Sequence, residues 1–204
     1  MTQNPNNTSK IIKNFISAYP NVKHVVYDTV SESAALDAFE SAYGTRALAD
    51  YDFGKADSIV SIGADFLSDW QGGGFDCNYA KKRVPKKVKG KSSMSKHFQF
   101  EANMSLTGAN ADNRFPVNQN EQKLVLLSIY SKLFNTQVDI NISDKLVNVV
   151  NDLMKELLES DNPVVVSGIQ DVEYQSLVLD INQRLNSRES LEHEGPLLRI
   201  NLEI

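Results

Sequence analysis

Apolar positions along this chain alternate between two spacings, and each change of spacing marks an element boundary. In Ser9–Tyr19, Ile11, Ile12, Phe15 and Ile16 recur at helical spacing until Pro20 stops the run. Val22–Tyr27 (VKHVVY) then predicts a buried strand, and Asp28–Ser31 a turn that supplies capping residues. Glu32–Ala42 predicts a helix closed by Gly44, and Asp57–Ile62 a second strand. Strand, helix, strand is the grammar of a parallel sheet.

The pattern continues past the glycine run at 72–74, with Phe75–Lys82 as a short helix. His97–Glu101 is the third strand, Leu106–Asp112 an irregular loop and Arg114–Val117 a short fourth strand. Glu121–Leu133 and Ser143–Glu159 are strongly amphipathic helices, the second capped by Ser143. Asn162–Gly168 is apolar throughout, as in a strand covered on both faces. Asp171–Leu185 predicts a helix and Pro196–Ile200 a final strand. The expected fold is α/β and three-layered: a mostly parallel, Rossmann-like sheet with helices on both faces. Residues 1–204 are expected to form a single domain, a fragment of a longer parent.

Composition adds one asymmetry. The chain of 204 residues is 41% hydrophobic and 23% charged, ordinary values for a globular domain. Its net charge of −5 conceals a segment, 81–96, with eight basic residues and no acid. That segment is rich in Lys, Gly, Ser and Pro and predicts a basic mobile loop on an acidic body. It carries no interleaved aromatics, so a solvated loop or a dock for an acidic partner is favoured over nucleic acid. No apolar run approaches the roughly 20 residues that span a bilayer. No signal-peptide core follows the polar N-terminus, so any export signal of a parent is expected outside this chain. A single Cys77 excludes an internal disulfide or a cysteine-held iron–sulfur cluster within the chain.

Candidate chemistry gathers at two turns. YDFGKADSIVSIGADF (51–66) and HFQFEANMSLTGANADNRFPV (97–117) each run from a β-type stretch into a polar or glycine-bearing turn. In open parallel sheets such turns lie at the carboxyl ends of strands, where ligands bind. Neither turn carries a dinucleotide or P-loop glycine signature. Asp28, Asp65 and Glu101 are acids at strand ends; they suit Mg²⁺, but helix caps or bonds to loop amides are favoured. Thr107–Asn110 suits a ligand cradle of backbone amides, with a tight turn using Gly and Asn at positive φ as the favoured reading. His24, His97 and His193 show no metal-ligand spacing, and His97 is expected to be packed and hydrogen-bonded. Ser61 and Ser167 lie on strands without a nucleophile elbow. Phe39, Tyr43, Phe53, Phe66 and Trp70 are expected in the core.

Taken together, the two segments resemble the cofactor-binding α/β domain of molybdopterin oxidoreductases, and more narrowly the large iron–sulfur subunit of alternative complex III. The resemblance covers roughly residues 15–133. It places Gly63, Glu101, Thr107, Ala111 and Asp112 at the family's motif positions, and Gly63, Asp65, Glu101, Thr107 and Asp112 as a vestigial cofactor crevice. The departures are Ala102-Asn103 for Pro-Arg, Asp65-Phe66 for Asn-Pro, and Asn118–Glu121 for a Pro-Gly-Thr-Asp-like turn. The added carboxylates would cost a bound pyrophosphate on the order of several kcal/mol.

The resemblance therefore implies a non-catalytic scaffold of a respiratory quinol-oxidising electron-transfer subunit. No cofactor is expected in this chain, and iron–sulfur clusters are expected elsewhere in the parent. The implied partners are a neighbouring iron–sulfur domain and other respiratory-complex subunits, in an exported, membrane-associated setting at the periplasmic face. Two alternatives stay open: a fragment that still binds molybdopterin guanine dinucleotide, and a small-nucleotide-binding module.

Overall fold

A computed structural model of the chain describes residues 7–25, 27, 31, 33–88 and 91–186. Chain contacts divide it into two units, one drawn from Met1–Ser31 with Asn201–Ile204, the other from Glu32–Ile200. In the first, helix α1 (Asn7–Ala18) carries Ile11 and Phe15, and Tyr19 just past its end continues their four-residue spacing as one exposed stripe, with Phe15 and Tyr19 rings 4.8 Å apart.

The second unit is built on four parallel strands in the order β5-β4-β1-β6. These are β1 (Ser58–Ile62), β4 (Lys96–Glu101), β5 (Asn113–Pro116) and β6 (Pro163–Ser167), with β2 (Lys86–Val88) and β3 (Lys91–Ser93) forming a separate antiparallel pair. Val60 lies between Phe98 and Val165, which fixes the register of the central strand. The helices are α2 (Ser33–Tyr43), α3 (Asp76–Arg83), the single-turn α4 (Leu106–Ala109), α5 (Gln119–Phe134), α6 (Asp144–Glu159) and α7 (Val172–Asn186).

Strand alternation assigns the two faces. Val60, Ile62, Phe98, Phe100 and Val165 pack under α5 and α6 through Val125, Leu126, Ile129, Val150 and Leu153. Ile59, Val164 and Val166 face an aromatic cluster of Phe39, Phe53, Phe66, Trp70, Phe75 and Tyr79. Helix α7 contributes to both clusters, Ile181 to the first and Leu179 to the second. The fold is thus the expected three-layer, Rossmann-like α/β architecture. Of the five aromatics assigned to the core, Tyr43 alone is exposed.

Local signals explain the long helices. Asn118 and Glu121 form a capping box at the start of α5, where each side chain satisfies the other's backbone N–H. Asn135 ends that helix in the left-handed region at φ 53°. Ser143 caps α6 as its sequence predicts.

Three expectations need correction. Val22–Val25 and Tyr27 belong to no strand, and Val25 and Tyr27 are 80% and 84% exposed. Both sides of β1 are already taken by β4 and β6, so the apolar run has no place beside the central strand. The basic segment is not one loop. Lys81–Arg83 ends α3, Lys86–Val88 pairs with Lys91–Ser93, and Lys96 opens β4. The predicted loop at Leu106–Asp112 contains α4, capped by Ser105. The strand predicted over Pro196–Ile200, Asp28 and His193 lie outside the described residues.

Candidate functional site

Strands β1, β4 and β6 end together, and beyond them opens a cavity of about 470 Å³. Gly63 follows β1, Glu101 ends β4, and Gly168 follows β6. The start of α5 closes the far side with Gln119, Gln122 and Lys123. Two glycines let the backbones meet here. Gly63 sits at φ +70°, and a Cβ on Gly168 would collide with the Gly63 carbonyl.

Asp65 and Thr107 come together as the sequence suggested, but for each other. Asp65 Oδ1 accepts from the Thr107 amide at 3.0 Å and its hydroxyl at 2.7 Å. Thr107 Oγ1 in turn accepts from the Leu67 amide at 3.0 Å. Thr107 is fully buried behind Asp65 and does not line the cavity. The Thr107–Asn110 segment is therefore a capped helical turn. Its Gly108 serves by lacking a Cβ, which would strike the Glu101 carboxylate, and positive φ plays no part there. Asn110 also keeps a negative φ of −102°.

Glu101 is 4% exposed and takes four hydrogen bonds, two on each oxygen. Oε1 accepts from the Ser105 amide at 3.2 Å and Arg114 Nε at 2.5 Å. Oε2 accepts from Ser105 Oγ at 2.5 Å and Gln99 Nε2 at 3.2 Å. Burial alone would raise its pKa, but these bonds outweigh it and hold the carboxyl below its ordinary value. The guanidinium of Arg114 supplies a compensating charge for the acid-rich turns.

Asp112 is the sequence-predicted residue that the structure sets apart. It lies at the amino end of β4, where it holds Arg83 through both oxygens at 2.6 and 2.9 Å and accepts from the His97 amide at 2.8 Å. Burial raises its pKa, but Arg83 and the amide prevail and keep it low. The Ala-Asp pair in the sequence precedes β5 rather than following β4, which places it at the opposite edge from Gly63.

Between the two edges runs a buried polar row that periodicity makes visible in retrospect. His97, Gln99 and Glu101 alternate with Phe98 and Phe100 along β4. Tyr79 Oη lies 3.0 Å from His97 Nδ1, and His97 Nε2 lies 3.3 Å from Gln99 Oε1. Gln99 Nε2 also donates to the Ala64 carbonyl at 3.4 Å. Burial drives the His97 pKa down to about 4, so the ring is neutral, packed and hydrogen-bonded, as expected for it. Gln99, Ser105, Arg114, Gln122 and Gly168 carry no motif. Of these, only Gln99 has a signal in the sequence, the period of two along β4. Cys77 is a free, exposed thiol. Among the described residues no cluster of His, Cys, Asp or Glu could hold a metal ion, and no helix is long and apolar enough to cross a membrane.

The elements and the crevice define an open, parallel-sheet α/β protein. No protein-family model matches the chain, and no curated protein matches it. Among solved structures it is similar to a chain of the formyltransferase/hydrolase complex FhcABCD from Methylorubrum extorquens, crystallised with methylofuran. That similarity has a TM-score of 0.51 and 16% identity, and covers 78% of this chain and 42% of the other. The chain thus spans less than half the length of its structural neighbour, and the likeness is one of fold. The resemblance to molybdopterin oxidoreductases and alternative complex III is corrected by these findings, since the solved neighbour is a formyltransferase/hydrolase component and no family model supports it. The respiratory role that it implied loses its ground with it.

Proposed function

We propose that this chain is a non-catalytic α/β module of a larger assembly and that its sheet-end crevice binds a small polar molecule. The observation that carries this reading is the contrast between two acids that line one cavity. Glu101 has all its acceptor positions occupied and serves to hold β4, α4 and β5 together. Asp65 uses one oxygen internally and keeps the other. A carboxylate with every position filled is poorly placed as a general base, whereas an open cavity at the carboxyl ends of parallel strands is where this architecture receives ligands. A place in a larger assembly draws support from the neighbour's being one chain of a multi-protein complex.

The test is a small-fragment screen on the full chain, read by amide chemical shifts. Binding should move the signals of Gly63, Ala102 and Gly168 together, and hits confined to other surfaces would sink the proposal. A second reading, a scaffold that acts only through protein contacts, draws on the exposed stripe of Ile11, Phe15 and Tyr19. A silent crevice, with the native protein migrating in a larger complex that an Ile11→Asp, Phe15→Asp variant loses, would favour that reading.

A further inference from the structure

The hydrogen-bonding capacity left over in the crevice includes two acceptors on side chains that line it. Asp65 Oδ1 is engaged twice by Thr107, while Oδ2 takes no donor among the described residues. Gln122 is 7% exposed, and its Oε1 stands over Gly63, where a Cβ would meet it at 2.6 Å. That oxygen also takes no donor among the described residues, whereas Nε2 of the same side chain reaches the Val117 carbonyl at 3.5 Å. Two of the donors beside them are already engaged. Gln99 Nε2 goes to Ala64 and Glu101, and Lys123 Nζ to Asp171 at 3.0 Å. Charge points the same way: Glu101 is paired with Arg114 and Lys123 with Asp171, which leaves Asp65 as the lining charge with no ion-pair partner among the described residues.

From this we infer that the crevice selects a small molecule that donates N–H bonds, of amidine or amino-heterocycle type, over carboxylates and phosphates. The inference rests on the ligand-binding reading above and names the chemistry of that ligand. An N–H group meeting Asp65 Oδ2 makes a charge-assisted bond, and a second meets the Gln122 carbonyl. An anion would face an unpaired carboxylate across a partly dry cavity and find no free cation opposite.

Benzamidine, benzamide and benzoate are nearly the same size and differ in charge and donors, so titrating each into the full chain separates the possibilities. Amide shifts should centre on Gly63, Gly168 and Gln122, and affinity should fall from benzamidine to benzamide to benzoate. Asp65→Asn keeps an oxygen for Thr107 but replaces the free acceptor with a donor, and should weaken benzamidine about tenfold. Gln122→Glu adds an acceptor charge and should tighten it several-fold. Benzoate binding as well as benzamidine at these amides would overturn the inferred chemistry while leaving the crevice a binding site. Silence of all three probes at the crevice, with the variants folded by their amide spectra, would overturn both readings.

Discussion

The two ends of the parallel sheet solve the same problem in opposite ways. At the amino end three acids are each closed by a cation: Asp57 by Lys82, Asp112 by Arg83, and Glu156 by Lys96, at 2.6 Å each. At the carboxyl end one acid is buried and saturated, one is left half-used, and a cavity remains. The closed end consumes three of the eight cations in the basic segment, so that segment serves as a clasp across the strand starts. The open end is held by geometry that costs more to disturb, because its polar groups are out of water.

The sharpest break in this contrast is Glu101→Ala. It removes the acceptor shared by Ser105, Gln99 and Arg114 and leaves buried donors unsatisfied, for an expected loss of about 3–5 kcal/mol in denaturant unfolding. A loss below about 1 kcal/mol would mean that the carboxylate is not structural. Next is pH. The folded His97 pKa, about 4, lies below the ordinary imidazole value of about 6.5, so the unfolded chain binds more protons between them. Stability should therefore rise with pH across that window, be complete above it, and fall by about 3 kcal/mol as pH drops from 7 to 4. His97→Gln should flatten that slope specifically, whatever it does to stability at pH 7. The lowered Glu101 and Asp112 values add a further loss that sets in as pH falls to the ordinary carboxylate range, at the acid end of the His97 window, and is complete only below their folded values.

Gly168→Ala sets a methyl group against the Gly63 carbonyl and should cost about 1–3 kcal/mol, with shifts confined to the open end. The smallest effect belongs to the clasp. Lys96→Ala breaks a half-exposed pair and should change stability by less than about 1 kcal/mol, and less still in high salt. If Lys96→Ala matched Glu101→Ala, the contrast between the ends would collapse.

Much of this was legible in the chain. Helices α5, α6 and α7 follow from their amphipathic spacing and, for α6, the Ser143 cap, and β1, β4 and β6 from short β-branched and aromatic runs. Gly63, Asp65 and Glu101 were found because they end those strands. What escaped depends on partners distant in sequence. Val22–Tyr27 has strand composition, yet pairing decides strands, and β1 has no vacant side. Asp112 was misplaced because β5 runs parallel to β4 after only a one-turn helix, which returns the chain to the amino edge before it proceeds. Gln122 reaches the crevice, and Arg114 the Glu101 carboxylate, from elements whose sequences speak only of helix and β-strand.

The polar row on β4 has a consequence for how the sheet assembles. Phe98 and Phe100 face one layer, and His97, Gln99 and Glu101 the other. A slip of one residue against β1 would turn Glu101 into the apolar layer beneath α5 and push Phe100 into the hydrogen-bonded row. Both errors are expensive, the first because a carboxylate would be stripped of its donors. Chemistry at the crevice and accuracy of folding thus share the same side chains, and mutations chosen to reshape the pocket will also loosen one of the strand's defences against misregistration.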